Sequence, residues 1–397
     1  MVNVLNSWRH VSLSELVSFH KGGTLSKMDL AESGIPCVLY GELYTRYGEV
    51  TNRIHSRCSA VLHELTLSKE EDVLLPSSGE TPEEMAKATC VTIADVGIGG
   101  DIIIARPKPG ASGRFISYQL NHTLVNQVAS IAQGNAIVHL NAGRLASIQT
   151  VAPGEAEQRA IAEVLSGFDE HLANLDELIT KKKAIRDGAV EELVTGRTRI
   201  ADYRAPWVTR SARELLSDVI TGGTPSTTIA EYWDGGIPWL SSTEIHQRTV
   251  SRPTRYISEE GLANSSAQIA SAGSVLIALA GQGKTRGTSA YLTRDMALNQ
   301  SLAGLVADET ELYRGYLLYA VTRRYEELRG LSSGDGGRGG LNKTLLWDLR
   351  FTLPSSLEEQ CAIAEVLSGM DEEIRSLVEE RAKVERLKLG AMDDLLT

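Results

Sequence analysis

Residues 157–170 read EQRAIAEVLSGFDE and residues 359–372 read EQCAIAEVLSGMDE. The second segment repeats the first at an offset of 202 with two changes, and the register runs on unbroken from GAVEELVT (188–195) to GAMDDLLT (390–397). A repeat at this spacing constrains the chain to two similar units in tandem. Solenoid repeats are far shorter, about 20–50 residues. Looser echoes precede each copy: KGGTLS (21–26) and TGGTPS (221–226), GIPCVLYGEL (34–43) and GIPWLSSTEI (236–245), LNAGRLASIQTVAP (140–153) and LNKTLLWDLRFTLP (341–354). The expected layout is a variable globular region over 1–153, a long helix over 154–196, a second globular region over 197–354 and a second long helix over 355–397.

The helical reading comes from apolar spacing. Ile161, Leu165, Phe168, Leu172, Leu175 and Ile179 step by three and four, as do Ile363, Leu367, Met370, Ile374, Leu377, Arg381 and Val384. That is a coiled-coil-like seam. Ser355, three residues before Glu358, offers a capping box, and Gly196 offers a stop. About 40 helical residues make a rod of about 60 Å. A rod with one apolar stripe needs a partner, and the other copy is the obvious one. Gly167, Gly188, Gly369 and Gly390 fall at equivalent sites inside these helices, where glycine costs about 1 kcal/mol relative to alanine. Either a close approach, such as a docking protein, or an inherited kink accounts for them.

The net charge of −11 argues against nucleic-acid binding if spread evenly. It is not. Segment 155–199 has 7 Lys/Arg against 10 Asp/Glu, and segment 358–394 has 5 against 11. The rods hold most of the acidity, so the globular regions are free to present basic faces. Cys37, Cys58, Cys90 and Cys361 lie far apart, which speaks against a zinc site and fits a reducing cytoplasm. No apolar run approaches the ~20 residues of a membrane span, and the N-terminus lacks a signal-peptide layout.

One stretch invites an enzyme reading. ALAGQGKT (278–285) fits a relaxed phosphate-binding loop after the apolar run SVLI. Such a loop should feed a helix at its Lys-Thr, yet RGTSAYLTRD follows and reads as loop and strand. The aligned PSSGETPEEM of the first unit has no Lys. A glycine-rich turn carrying Gln282, Lys284 and Arg286 suits contact with phosphate or the guanine edge better. A nucleotide hydrolase built on 278–285 and a coiled-coil scaffold that never touches DNA stand as the alternatives. No dinucleotide fingerprint, nucleophile elbow or clustered histidines nominate other chemistry.

The Glu157-Gln158 and Glu359-Gln360 helices, duplicated with variable regions between them, resemble the specificity subunit of type I restriction–modification systems. The resemblance covers the whole chain. It implies two target recognition domains of mixed α/β fold and two long antiparallel helices in a pseudo-twofold arrangement. Each domain would read half of a split, asymmetric site in double-stranded DNA, and the helices would set the unread gap. Two modification subunits would supply S-adenosylmethionine chemistry. A restriction subunit would add ATP- and Mg-dependent translocation and cleavage, and this chain would catalyse nothing and hold no metal. Partner-binding candidates are Gln158, Gln360 and the four helix glycines. DNA-contact candidates in the first region are Lys21, Thr24, Lys27, Ser78 and Arg114. In the second they are Thr221, Thr224, Gln282, Lys284 and Arg286, with Arg338 and Lys343. Polar loops flanked by glycine motivate them.

Overall fold

The computed structural model describes residues 8–397 apart from 83, 133–137, 201, 282 and 332–339. The chain divides into two compact units, one of residues 1–177 with 379–397, the other of residues 178–378. The long helices run Glu155–Val194 and Leu357–Leu395. Each unit therefore contains one variable region, the first part of the helix that follows it, and the last part of the other helix.

Each unit is built on a five-stranded sheet. In the first unit the order is Val17–Lys21, Ile102–Pro107, Asp72–Pro76, Thr89–Val91 and Val50–Thr51. In the second it is Leu216–Thr221, Leu302–Ala307, Val275–Ala278, Ser289–Leu292 and Thr249–Val250. The topology repeats to the residue: Ile104 sits between His20 and Leu74, and Gly304 sits between Ile220 and Leu276. The central strands read as near-continuous apolar runs because both faces are covered; Val73, Leu74 and Leu75, like Val275, Leu276 and Ile277, are wholly buried.

A smaller four-stranded sheet accompanies each large one, and here the units diverge. The first unit orders Gly97–Ile98, Ile35–Val38, Ser56–Cys58, Leu30–Ala31; the second orders Arg255–Ile257, Trp233–Leu240, Met296–Leu298, Gln268–Ala270. The first adds its edge strand beside Ser56–Cys58, the second beside Met296–Leu298. In the first unit Cys37 and Cys58 pack as apolar groups; burial, with Cys58 beside it, pushes the Cys37 thiol up to about 12.

The helix seam forms from the residues the spacing singles out. Ile161, Leu165 and Leu175 are buried in the first unit, and Ile179, Ile363, Leu367 and Ile374 in the second. In the first unit the helix segments pair antiparallel through Asp176 with Arg381 and Asp169 with Lys388. In the second they pair through Lys182 with Glu373 and Arg186 with Asp371. The cap of the second helix falls one residue later than the sequence suggests: the Glu359 amide donates to Ser356 Oγ at 3.3 Å. Gly196 ends the first helix with φ +73°, and its missing side chain leaves room for the Trp207 ring.

Candidate nucleic-acid interface

The two ends of each large sheet have different company. One end meets the long helix. Gln158 is fully buried there; its Oε1 accepts the Ser112 amide at 2.9 Å and its Nε2 donates to the Pro153 carbonyl at 2.8 Å. Gln360 repeats the arrangement, accepting from the Tyr313 amide at 2.8 Å and donating to the Pro354 carbonyl at 3.0 Å. This corrects the partner-binding reading of Gln158 and Gln360. An amide that satisfies buried backbone on both sides is a latch between helix and domain, with no surface to offer another protein. The neighbouring Glu359 is also buried and takes Arg199 in a bidentate pair, while Glu157 accepts the Trp8 indole N–H at 3.1 Å.

The opposite end of each sheet carries mainly loops, tied to the short helix Tyr40–Thr45 in the first unit and to Tyr325–Gly330 in the second. In the first unit the strand ends Lys21, Pro76 and Ile102 lie together. The Gly22 and Gly23 amides donate to Ile102 and Ile98 carbonyls, which bends the chain back over the sheet and leaves Thr24 exposed. A Cβ on Gly22 would fall 2.1 Å from the Gly99 carbonyl oxygen, so the repeated Gly-Gly is a packing requirement. Ser78 stands at the same end, half-buried, pairing with His139 while its carbonyl accepts the Tyr44 hydroxyl at 2.6 Å. Lys27 lies beyond Thr24 in an exposed single turn, Lys27–Asp29.

In the second unit Thr221, Leu302, Ala278 and Ser289 mark the same end. Gly223 donates to the Leu298 carbonyl as Gly23 does to that of Ile98, and two indoles hold the loop: Trp239 donates to the Gly223 carbonyl and Trp233 to that of Ser226, both at 3.0 Å. Thr224 is exposed at the tip and donates to Gln300 Oε1 at 2.6 Å. Beside it, residues 279–288 join the strands Val275–Ala278 and Ser289–Leu292. The exposed Lys284 and the half-buried Arg286 are on this hairpin, and His246 Nε2 lies 3.2 Å from Thr285 Oγ1. A strand and not a helix follows Lys284-Thr285, which speaks against the hydrolase reading. Gln282 and Arg338 lie outside the described residues.

Two further DNA-contact candidates pair with acids of their own unit. Arg114 is at the helix end of its sheet, 3.5 Å from Glu71. Lys343 begins a short helix packed beside Leu216–Thr221, its ammonium 3.5 Å from Asp218. Arg114 is half-buried in its pair, whereas Lys343 stays exposed in its own. The structure thus gathers Lys21, Thr24 and Ser78 in one unit, and Thr221, Thr224, Lys284 and Arg286 in the other, each at the loop end.

The helix glycines have no packing role within the units. Gly167, Gly188, Gly369 and Gly390 are all exposed, and a Cβ on any of them would meet nothing within 4 Å. Val164 and Val366, three residues before Gly167 and Gly369, are also exposed, as are Ile185 and Leu387 before Gly188 and Gly390.

One network escaped the sequence reading. In the first unit Lys388 Nζ lies 2.6 Å from Asp169 and 2.9 Å from Glu49, and the Tyr118 hydroxyl donates to Asp169 at 2.5 Å. Burial, then Glu49, raises the Asp169 carboxyl above its usual range. Burial opposes the Lys388 ammonium, but Glu49 and Asp169 together outweigh it and raise its pKa. In the second unit Arg186 and Arg248 both lie 2.8 Å from Asp371, which accepts from Tyr319 at 2.7 Å. Asp371 and Lys388 are the 202-offset counterparts of Asp169 and Arg186. Each helix thus donates one acid to its own unit and one cation to the other. The signal was present as an acid and a base at the same spacing in both copies.

Among the described residues no group of three or more His, Cys, Asp or Glu could hold a metal ion, and no helix is long and apolar enough to cross a membrane.

Comparison with known proteins adds the following. A family model described as the type I restriction modification DNA specificity domain matches residues 205–386. The specificity subunit of the Escherichia coli type I restriction enzyme EcoR124I/EcoR124II is 27% identical over 161 residues, 40% of this chain and 39% of that protein. The specificity subunit of the Methanocaldococcus jannaschii type I enzyme MjaIX is 26% identical over 196 residues, 48% of this chain and 44% of that protein. These matches span less than half the length of either relative. In fold, the S subunit of a type I restriction–modification system from M. genitalium covers the whole chain and 98% of its own, with a TM-score of 0.68 at 15% identity.

Proposed function

We propose that this chain, a member of the type I restriction–modification specificity-subunit family, reads DNA sequence on behalf of a restriction–modification complex. The observation that carries the reading is the duplicated polar loop end: two units of one topology each place exposed Thr and Lys, Thr24 with Lys21 and Thr224 with Lys284, on glycine-bent turns at the sheet end opposite Gln158 and Gln360. The small sheets and hairpins behind these ends differ between the units, so each unit reads a different half of a split, asymmetric site. Both long helices pass from one unit into the other and set the length of unread DNA between the halves. Their acidity repels DNA and suits a protein. Two modification subunits bind there, at the exposed faces around Gly167/Gly369 and Gly188/Gly390, and a restriction subunit joins through them. S-adenosylmethionine, ATP and Mg belong to those partners. This chain positions their chemistry and performs none itself, in the cytoplasm where the DNA is.

Mapping methylated adenines in host DNA with and without the gene tests the reading. Loss of a two-part motif with a constant gap is the expected result. An unchanged methylation pattern, with no footprint of the assembled complex on any DNA, favours the scaffold alternative.

A further inference from the structure

The hairpins at the two loop ends are built alike but charged oppositely. Both leave the sheet from equivalent positions, and the same tie holds each: Leu140 donates to the Ser77 carbonyl at 3.0 Å, Leu341 to that of Leu279 at 2.9 Å. Residues 77–88 contain three Glu and one Lys; residues 279–288 contain one Lys, one Arg and no acid. Pro82 stands 202 positions before Lys284.

The second hairpin is fixed around Lys284. The Lys284 carbonyl accepts both the Thr288 hydroxyl at 2.7 Å and the Tyr325 hydroxyl at 2.9 Å. Arg329 donates to the Gly283 carbonyl at 3.1 Å, and Arg286 donates in turn to the Arg329 carbonyl at 2.8 Å. Arg286 and Arg329 are thereby committed to backbone, and Gly281, Gly283 and Gly287 have positive φ. The Lys284 side chain is exposed and makes no ion pair among the described residues. In the first hairpin the rigidity comes from an acid: Glu84 accepts the Glu80 and Thr81 amides at 3.0 and 3.2 Å.

From this we infer that Lys284 is a sequence-independent phosphate anchor, positioned by Arg286 and Arg329, and that the anchoring falls on the second unit because the first unit's hairpin has no equivalent. The inference rests on the DNA-reading function proposed above. An ammonium is a point charge that suits phosphate; a lysine can also meet the guanine edge, and the duplex of random sequence separates the two roles.

The test is equilibrium binding by the complex isolated through a tag on this chain. The probes are a duplex carrying its mapped site and a duplex of random sequence, between 50 and 200 mM salt. Lys284→Gln should weaken both duplexes by a similar factor. It should also flatten the log–log salt slope by about 0.9, so that the wild-type advantage shrinks about 3-fold across the range. Lys284→Arg should keep the slope. Phosphate-ethylation interference should then lose one position beside one half-site only. An unchanged slope, a loss confined to the specific duplex, or an equal loss in Lys284→Arg overturns the inference. Wild-type complex that distinguishes the two duplexes while Lys284→Gln behaves like it sinks the anchor alone. Wild type that binds neither duplex sinks the DNA-reading function beneath it.

Discussion

At the scale of single residues, burial decides what a repeated motif means. Glu-Gln recurs in both helices, and its recurrence alone reads equally as a partner surface or as a joint. Full burial of Gln158 and Gln360, with backbone donors and acceptors on both sides, makes them joints. Gln158→Ala should therefore lower the stability of the first unit by about 2 kcal/mol, since the Ser112 amide and Pro153 carbonyl are left buried and unpaired. Chemical denaturation measures this. The glycines behave in the opposite way. Gly167 and Gly369 are exposed with open space where a side chain would go, so Gly167→Ala should raise stability by up to about 1 kcal/mol. Gly167→Trp should leave the fold intact and abolish capture of a modification subunit. A Trp variant that captures the partner normally removes this face from the docking surface. Apolar spacing cannot make this distinction, because a period of three and four marks which face is apolar and not which neighbours a given position meets.

At the scale of elements, the helices were legible and the sheet ends were not. The apolar steps from Ile161 to Ile179 and from Ile363 to Val384 are a local pattern, and local patterns survive in a sequence. Which strand ends share one edge depends on pairings such as Ile103 with Lys21 and Ile277 with Ala303, between residues far apart in the chain. That is why Arg114, chosen for its loop, sits at the helix end beside Glu71. It is also why Thr224 and Lys284 meet at one end although 60 residues separate them. Where the helices pair, the buried and exposed ions differ in weight. Lys388→Met strands Asp169 and Glu49 in a mostly buried place and should cost about 3 kcal/mol. Arg381→Ala removes an exposed partner of Asp176 and should cost less than about 1 kcal/mol. Thermal melts of the two variants side by side decide it; equal shifts would mean the Lys388 network is solvated.

At the scale of the whole molecule, the account makes the helices a spacer between two readers. The ion pairs show where a spacer can be lengthened without disturbing either unit. Asp176 with Arg381 belongs to the first unit and Lys182 with Glu373 to the second. A turn of helix inserted between Glu177 and Lys182, near Lys181, and another between Glu373 and Arg381, leaves both pairs in register. Four residues in each helix add about 6 Å, or about two base pairs of DNA. The decisive measurement is the methylated motif of cells carrying this doubly extended chain. The account predicts both half-sites unchanged with a gap longer by about two base pairs. Altered half-sites, or an unaltered gap, would contradict it.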